Sequence, residues 1–330
     1  MRSTYWISVL ASFAALSACG PSDKPAPTGA VAKSPASTIA ADADQAASAE
    51  QVAKQARGDV ACPARIGTPP RAQTAPVDDI LGVRAGQRYD EAVNGVLCSN
   101  EMLVATQEAS RGFDIKSYGQ TLRQGFSARF AEPRVVKTGK QIVQDMQRES
   151  SARGMNAVRE DLKPGQSKWY VGTLGVPGSE LVLSVAREER FATEQMPTTD
   201  AVRAALLKKY GTPTLEQPAS ATRLAVLRWA YDPAGQPVAA GSPLYSRCIG
   251  WSDPNHGASV TPDCGVVVDA MLIPPKGNPE LVDRLQVGIV DQARGYQLLK
   301  STEQALAQMD QQRRAAEVDK AAKNTKAPSL

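Results

Sequence analysis

The stretch that most constrains the fold begins at Lys168. Residues Trp169 to Leu174 and Glu180 to Phe191 are two extended runs rich in Val, Leu and aromatics, joined by Gly175-Val176-Pro177-Gly178. Leu181, Leu183 and Val185 fall at every second position, the period of a strand that buries one side, so the segment predicts a hairpin. Its tail, Arg187-Glu188-Glu189-Arg190, reads as a solvated strand end. A helix with matched ends follows: Thr199 as N-cap, Asp200 in the first turn, Val202, Leu206 and Tyr210 on one face, Lys208 and Lys209 in the last turn, then Gly211 and Pro213. Further strands are predicted over Arg223 to Tyr231, Gly265 to Ile273 and Leu281 to Val290, and a long helix from about Gln292 to Lys323. The order β-β-α-β-β-β-α predicts an α+β fold, a predominantly antiparallel sheet with helices packed on one face and a long C-terminal helix.

Upstream, Val77 to Val83 predicts a strand, and Gly86 turns the chain into a helix from Tyr89 to Leu97 with Ala92, Val93, Val96 and Leu97 on one face. A strand at Leu103 to Thr106 and a mostly solvent-facing helix from Gly139 to Ser151 follow. The pattern of turn, helix and strands occurs around Gly86 to Cys98 and again around Thr199 to Tyr231. The two segments share few residues, so the sequence alone does not establish a duplication. In the terminal helix Leu299, Leu306 and Met309 start a heptad-like stripe that stops at Arg313. Its first half is expected on the sheet and its distal half projecting.

The N-terminus carries Arg2, an apolar run from Tyr5 to Leu16 too short to span a bilayer, and small residues before Cys19. Leu16-Ser17-Ala18-Cys19 resembles the bacterial lipobox, which implies a diacylglycerol on the Cys19 thiol, cleavage before it, and attachment to a membrane through that lipid. Gly20, where an aspartate is absent, resembles the outer-membrane sorting class, with the inner membrane as the alternative. Pro21 to Gly58 is rich in Ala, Ser, Pro and Asp and reads as a tether, roughly 35 Å from end to end. A weak helix within Ala41 to Arg57 would have no apolar face to dock. The predicted organisation is a signal at 1–18, the lipidated cysteine and tether at 19–76, an N-terminal α+β lobe at 77–165, a C-terminal α+β lobe at 166–310 that forms either its own unit or one domain with the first, and a charged helical or disordered tail at 311–330.

With Cys19 reserved for lipid, Cys62, Cys98, Cys248 and Cys264 remain, an even set suited to an oxidising compartment. Three connectivities are open. Sequential pairing, Cys62 with Cys98 and Cys248 with Cys264, closes the two shorter loops and is preferred, each bridge contributing roughly 3 to 4 kcal/mol; free buried thiols are the alternative. The run Leu207-Lys208-Lys209-Tyr210-Gly211-Thr212-Pro213, followed by a strand carrying Trp229, resembles the small α+β lipoproteins of the outer-membrane β-barrel assembly machine over about thirty residues. That resemblance implies an interaction role.

The formal net charge of +4, with basic residues scattered, argues against nucleic acid as a partner. His256 is the single histidine, and neither Gly-x-Ser-x-Gly nor Ser-x-x-Lys occurs, so triads, multi-histidine zinc sites and penicillin-binding chemistry find no signature. Gly172 to Ser179 lacks the lysine of a phosphate loop. Glu188 with Glu189, and Asp78 with Asp79, are neighbours that a strand turns to opposite sides. The segment Ser246 to Cys264 is the candidate partner-binding loop, displaying Trp251, Asp253, Asn255 and His256. Asp253-x-Asn255-x-Gly257 starts a calcium-loop spacing that no glutamate completes, so no metal is predicted, nor any cofactor or catalytic residue. The expected role is a membrane-anchored envelope lipoprotein acting as a binding, adaptor or structural module, its partner another envelope protein or peptidoglycan. The alternatives are a carboxylate-based envelope hydrolase and an inhibitor or immunity-type module that uses the loop between Cys248 and Cys264.

Overall fold

The structure, a computed structural model, describes residues 46–58, 60–107, 113–144, 146, 162–219, 224–248, 252–253 and 257–324. The signal, Cys19 and the tether as far as residue 45 lie outside them, as do Trp251, Asn255 and His256. The described residues belong to one compact unit. Its elements in chain order are α1 (Ala49–Arg57), β1 (Asp79–Ile80), β2 (Val83–Arg84), α2 (Tyr89–Cys98), β3 (Leu103–Gln107), β4 (Gly125–Phe130), β5 (Ser167–Leu174), β6 (Leu181–Arg190), α3 (Thr199–Tyr210), β7 (Leu215–Gln217), β8 (Ala225–Ala230), β9 (Ser252–Asp253), β10 (Gly257–Ala258), β11 (Val266–Ile273), β12 (Arg284–Asp291) and α4 (Gln292–Asn324). Eight strands form one antiparallel sheet in the order β3-β4-β5-β6-β12-β11-β8-β7, and β1-β2 and β9-β10 are separate two-stranded hairpins. The fold is α+β, as the pattern from Lys168 onward predicts.

The sheet is built twice. Running from edge to centre, β3-β4-β5-β6 follows α2, and β7-β8-β11-β12 follows α3 in the same way. The central pair β6 and β12 meets around Arg187 opposite Val287, one hundred residues apart, and every other pair in that ladder obeys the same exchange: Ala186 faces Gly288 and Glu188 faces Gln286. A pseudo-twofold axis therefore passes through the centre of the sheet. The helix starts repeat as well. Arg88, ahead of α2, bridges Leu181, while Thr198, ahead of α3, bridges Leu281. Tyr89 N donates to Glu180 O at 3.1 Å and Thr199 N to Glu280 O at 2.9 Å; Val182 N donates to Gln87 O at 2.8 Å and Val282 N to Pro197 O at 3.0 Å. Glu180-Leu181-Val182 and Glu280-Leu281-Val282 carry the same three residues.

α2 and α3 cover one face. Ala92 and Val96 of α2, and Val202, Leu206 and Tyr210 of α3, are buried with Phe126, Trp169, Val171, Val185, Trp229, Val268 and Ile289 of the sheet. The α3 face is the predicted one, but Thr198, one residue earlier, is the N-cap, its hydroxyl accepting from Ala201 N at 3.2 Å. The helix stops at Gly211, whose carbonyl accepts from Trp229 Nε1 at 2.9 Å. The opposite face holds a second cluster in which Leu174, Leu183, Val267 and Val290 meet the disulfide of Cys248 and Cys264, with Leu298 and Leu299 of α4 packed against it.

Several local readings are corrected. Val77 to Val83 is not one strand: Leu81 and Gly82 both take positive φ, the requirement of a two-residue hairpin turn, and split it into β1 and β2. Glu188 is buried, not a solvated strand end, because Gln286 Nε2 donates to it at 2.8 Å and Lys168 and Arg284 approach at 3.4 and 3.7 Å. α1 does dock. It buries only Ala53, and Arg57 fastens it by donating to the carbonyls of Leu97 and Asn100 at 2.7 and 2.9 Å. On α4 the buried ridge is Gln292, Gly295, Thr302, Leu306 and Asp310, whereas Met309 is 38% exposed. Polar residues at helical spacing conceal that ridge from a hydrophobic-stripe reading. From 311 to 324 every residue of α4 is exposed.

Candidate functional site

The segment between the Cys62–Cys98 disulfide and β1 is rich in proline, which restricts φ and removes donors, so it cannot join a ladder and runs as an extended strap. Side chains hold it down. At its start Glu91 of α2 accepts from Gly67 N at 2.9 Å and from the Thr68 hydroxyl at 2.5 Å. Burial works against the ionised form, but these donors hold the Glu91 carboxyl below the ordinary carboxylate range. Farther along, Arg71 donates to Ala75 O and Arg84 of β2 donates to Pro69 O.

Beneath the strap lies a cleft of about 580 Å³, well within the size of small-molecule sites. Its other walls are the turn Asp232 to Gly235 after β8, Gly265 and Val266 at the start of β11, and Asp291 with Arg294 at the junction of β12 and α4. Three carboxylates and three guanidiniums line it: Asp78, Asp232, Asp291, Arg71, Arg84 and Arg294. Among the described residues no aromatic side chain does.

These charges are not equivalent. Asp232 Oδ1 accepts from Ala234 N at 2.9 Å and Gln236 N at 2.8 Å, which shapes its turn. Asp291 Oδ1 accepts from Arg294 N at 3.1 Å and caps α4. Asp78 is 7% exposed, and among the described residues no hydrogen-bond donor meets its buried Oδ1. Arg71 Nε and Arg84 Nη1 pair with Asp78 as ions at 3.8 and 3.7 Å, too far for hydrogen bonds, while another nitrogen of each guanidinium donates to a strap carbonyl. Burial pushes the Asp78 carboxyl above its ordinary pKa, more than Arg84 and Arg71 pull it down. Arg294 crosses over Gly86. A side chain there would meet its Nη1 at 2.5 Å, so Gly86, at φ +87°, leaves the passage open. The guanidinium makes one long contact, 3.4 Å to Ala85 O, and pairs with no carboxylate among the described residues.

The two predicted disulfides are formed, Cys62 with Cys98 and Cys248 with Cys264. Cys248 and Cys264 are fully buried, so that bridge is part of the second core cluster. Within the loop they close, β9 and β10 pair as a hairpin and β9 lies against β6 and β12. Asp253 lies in β9; Trp251, Asn255 and His256 fall outside the described residues. The cleft residues escaped the sequence reading. Asp78 stood out only as a neighbour of Asp79, and more than two hundred positions separate Asp78 from Arg294. Comparison with protein-family models, curated proteins and solved structures finds no match.

Proposed function

We propose that the chain is a lipid-anchored envelope protein, attached through Cys19, that binds a small polar ligand in the cleft beneath the strap. The observation that carries this reading is Asp78, a buried carboxyl with an acceptor oxygen that no donor meets. Leaving such an oxygen unpaired costs roughly 1 to 3 kcal/mol, a cost that a ligand donor offsets. The two disulfides suit the oxidising compartment that the lipobox implies. Binding is favoured over hydrolysis because Asp232 and Asp291 each hold Oδ1 on backbone N–H groups, shaping a turn and capping a helix. An adaptor role through the loop between Cys248 and Cys264 is compatible with an occupied cleft.

The test is to purify the lipidated protein and its Asp78→Asn variant from envelope membranes and identify the small molecules each retains by mass spectrometry. The expected outcome is a compound retained by the parent and lost from the variant; identical profiles would overturn the cleft as a binding site. The anchor is checked separately. Cys19→Ser is expected to abolish palmitate incorporation and move the protein from the membrane to the soluble fraction, and unchanged membrane retention would overturn lipid attachment.

A further inference from the structure

Two groups in the cleft have unspent capacity, and they are opposite in kind. Asp78 offers a buried acceptor oxygen, and Arg294 offers a guanidinium at the mouth with a single long contact. The remaining charges are each partly engaged: Arg71 and Arg84 with the strap carbonyls and in ion pairs with Asp78, Asp232 through Oδ1 with its turn, Asp291 through Oδ1 with the start of α4.

A ligand that completes both groups must present a donor to Asp78 and an anion to Arg294. An anion alone would leave Asp78 unpaired and bring negative charge toward it; a cation alone would leave Arg294 unused. A sugar fits less well, since the described lining has prolines but no aromatic face for a ring to stack on. Resting on the reading of the cleft as a ligand site, we infer that its ligand is a zwitterion carrying an ammonium and a carboxylate, a free amino acid or a whole short peptide. The ammonium sits at Asp78 and the carboxylate at Arg294. Charge-assisted hydrogen bonds at both ends make recognition depend on both termini being free.

The experiment is calorimetric titration of the mature chain with L-alanine, L-alanyl-L-alanine, its N-acetyl form, its C-terminal amide, and inorganic phosphate. Saturable binding of alanine or the dipeptide is expected, and which of the two binds more tightly distinguishes a free amino acid from a short peptide. N-acetylation and amidation should each weaken binding at least about tenfold. The variants should then act pairwise. Asp78→Asn weakens the dipeptide but leaves the N-acetyl form no weaker than before, and Arg294→Gln weakens the dipeptide but not the amide. A structural role for either residue would lower affinity for all probes alike, and thermal melting of each variant reports whether it folds. Binding of the dipeptide that tolerates both blocking groups, or binding of phosphate instead, overturns the zwitterion while leaving the cleft a ligand site. Binding by none of the probes at about 10 mM also overturns the zwitterion, and the retained-compound measurement then decides whether the cleft reading stands.

Discussion

The two halves of the sheet share a backbone plan and differ in what is attached to it. Glu180 and Glu280 occupy equivalent places, each accepting through its carbonyl the first amide of the helix that opens its half. Glu180 is 2% exposed and held by Arg123, with Nη2 at 2.6 Å and Nε at 3.1 Å, while the same guanidinium lies 4.2 Å over the Tyr89 ring and reaches Asp90 at 3.0 Å. Glu280 is exposed. The half built on α2 also carries the strap, which the half built on α3 lacks. A repeated scaffold supplies the sheet, and unrepeated additions around α2 supply the fixed charges and one wall of the cleft.

The largest expected effect comes from breaking the additions at Glu180. Arg123→Ala strands a buried carboxylate and is expected to cost about 3 to 5 kcal/mol in urea denaturation, whereas Glu280→Ala should stay within about 0.5 kcal/mol. A loss under about 1 kcal/mol for Arg123→Ala would show that the pair is not what holds that corner. The scaffold itself is tested by Val182→Ala and Val282→Ala, both of fully buried residues at equivalent positions. Each should cost about 2 kcal/mol, and clearly unequal losses would break the symmetry argument.

The smallest and most pointed effect contrasts Glu180 with Asp78. Glu180 has a carboxyl that burial would raise but that Arg123 holds below the ordinary range. Its contribution to stability is present above the ordinary glutamate pKa and is lost as pH falls through the depressed native value. Asp78 is displaced the other way by burial. Its contribution is fully present below the ordinary aspartate pKa and is lost as pH rises through the raised native value. Asp78→Asn is therefore expected to stabilise the ligand-free protein by about 1 kcal/mol at neutral pH, with the gain vanishing in acid. Destabilisation at neutral pH would make Asp78 a clamp for Arg71 and Arg84 and remove the case for an open acceptor.

Much of the scaffold was legible because its signals are local. The hairpin around Pro177-Gly178, the α3 face at Val202, Leu206 and Tyr210, and the preferred pairing of four cysteines each depend on residues close in the chain. The α4 ridge was hidden because Thr302 and Asp310 are polar residues made buriable by partners: the Thr302 hydroxyl donates to Leu298 O at 2.7 Å, and Arg313 and Arg314 neutralise Asp310 at 2.6 and 3.1 Å. The docking of α1 was hidden because a long guanidinium, not an apolar face, fastens it.

By itself the sequence determined the types of the elements from the β5-β6 hairpin through α3 to α4, the antiparallel character of the sheet and the end of α3 at Gly211, because periodicity and capping act within a few residues. It also hinted at the repeat, through a turn, a helix and strands seen twice. Only the tertiary structure decided that the repeat is real, since its evidence is the matching set of backbone hydrogen bonds by which the starts of α2 and α3 meet Glu180 to Val182 and Glu280 to Val282, far away in the chain. The cleft too belongs to the tertiary level. Asp78, the turn at Asp232 and Arg294 face one space because the start of β1, the turn after β8 and the start of α4 meet at the same corner, and no local pattern encodes which distant charges a fold will bring together.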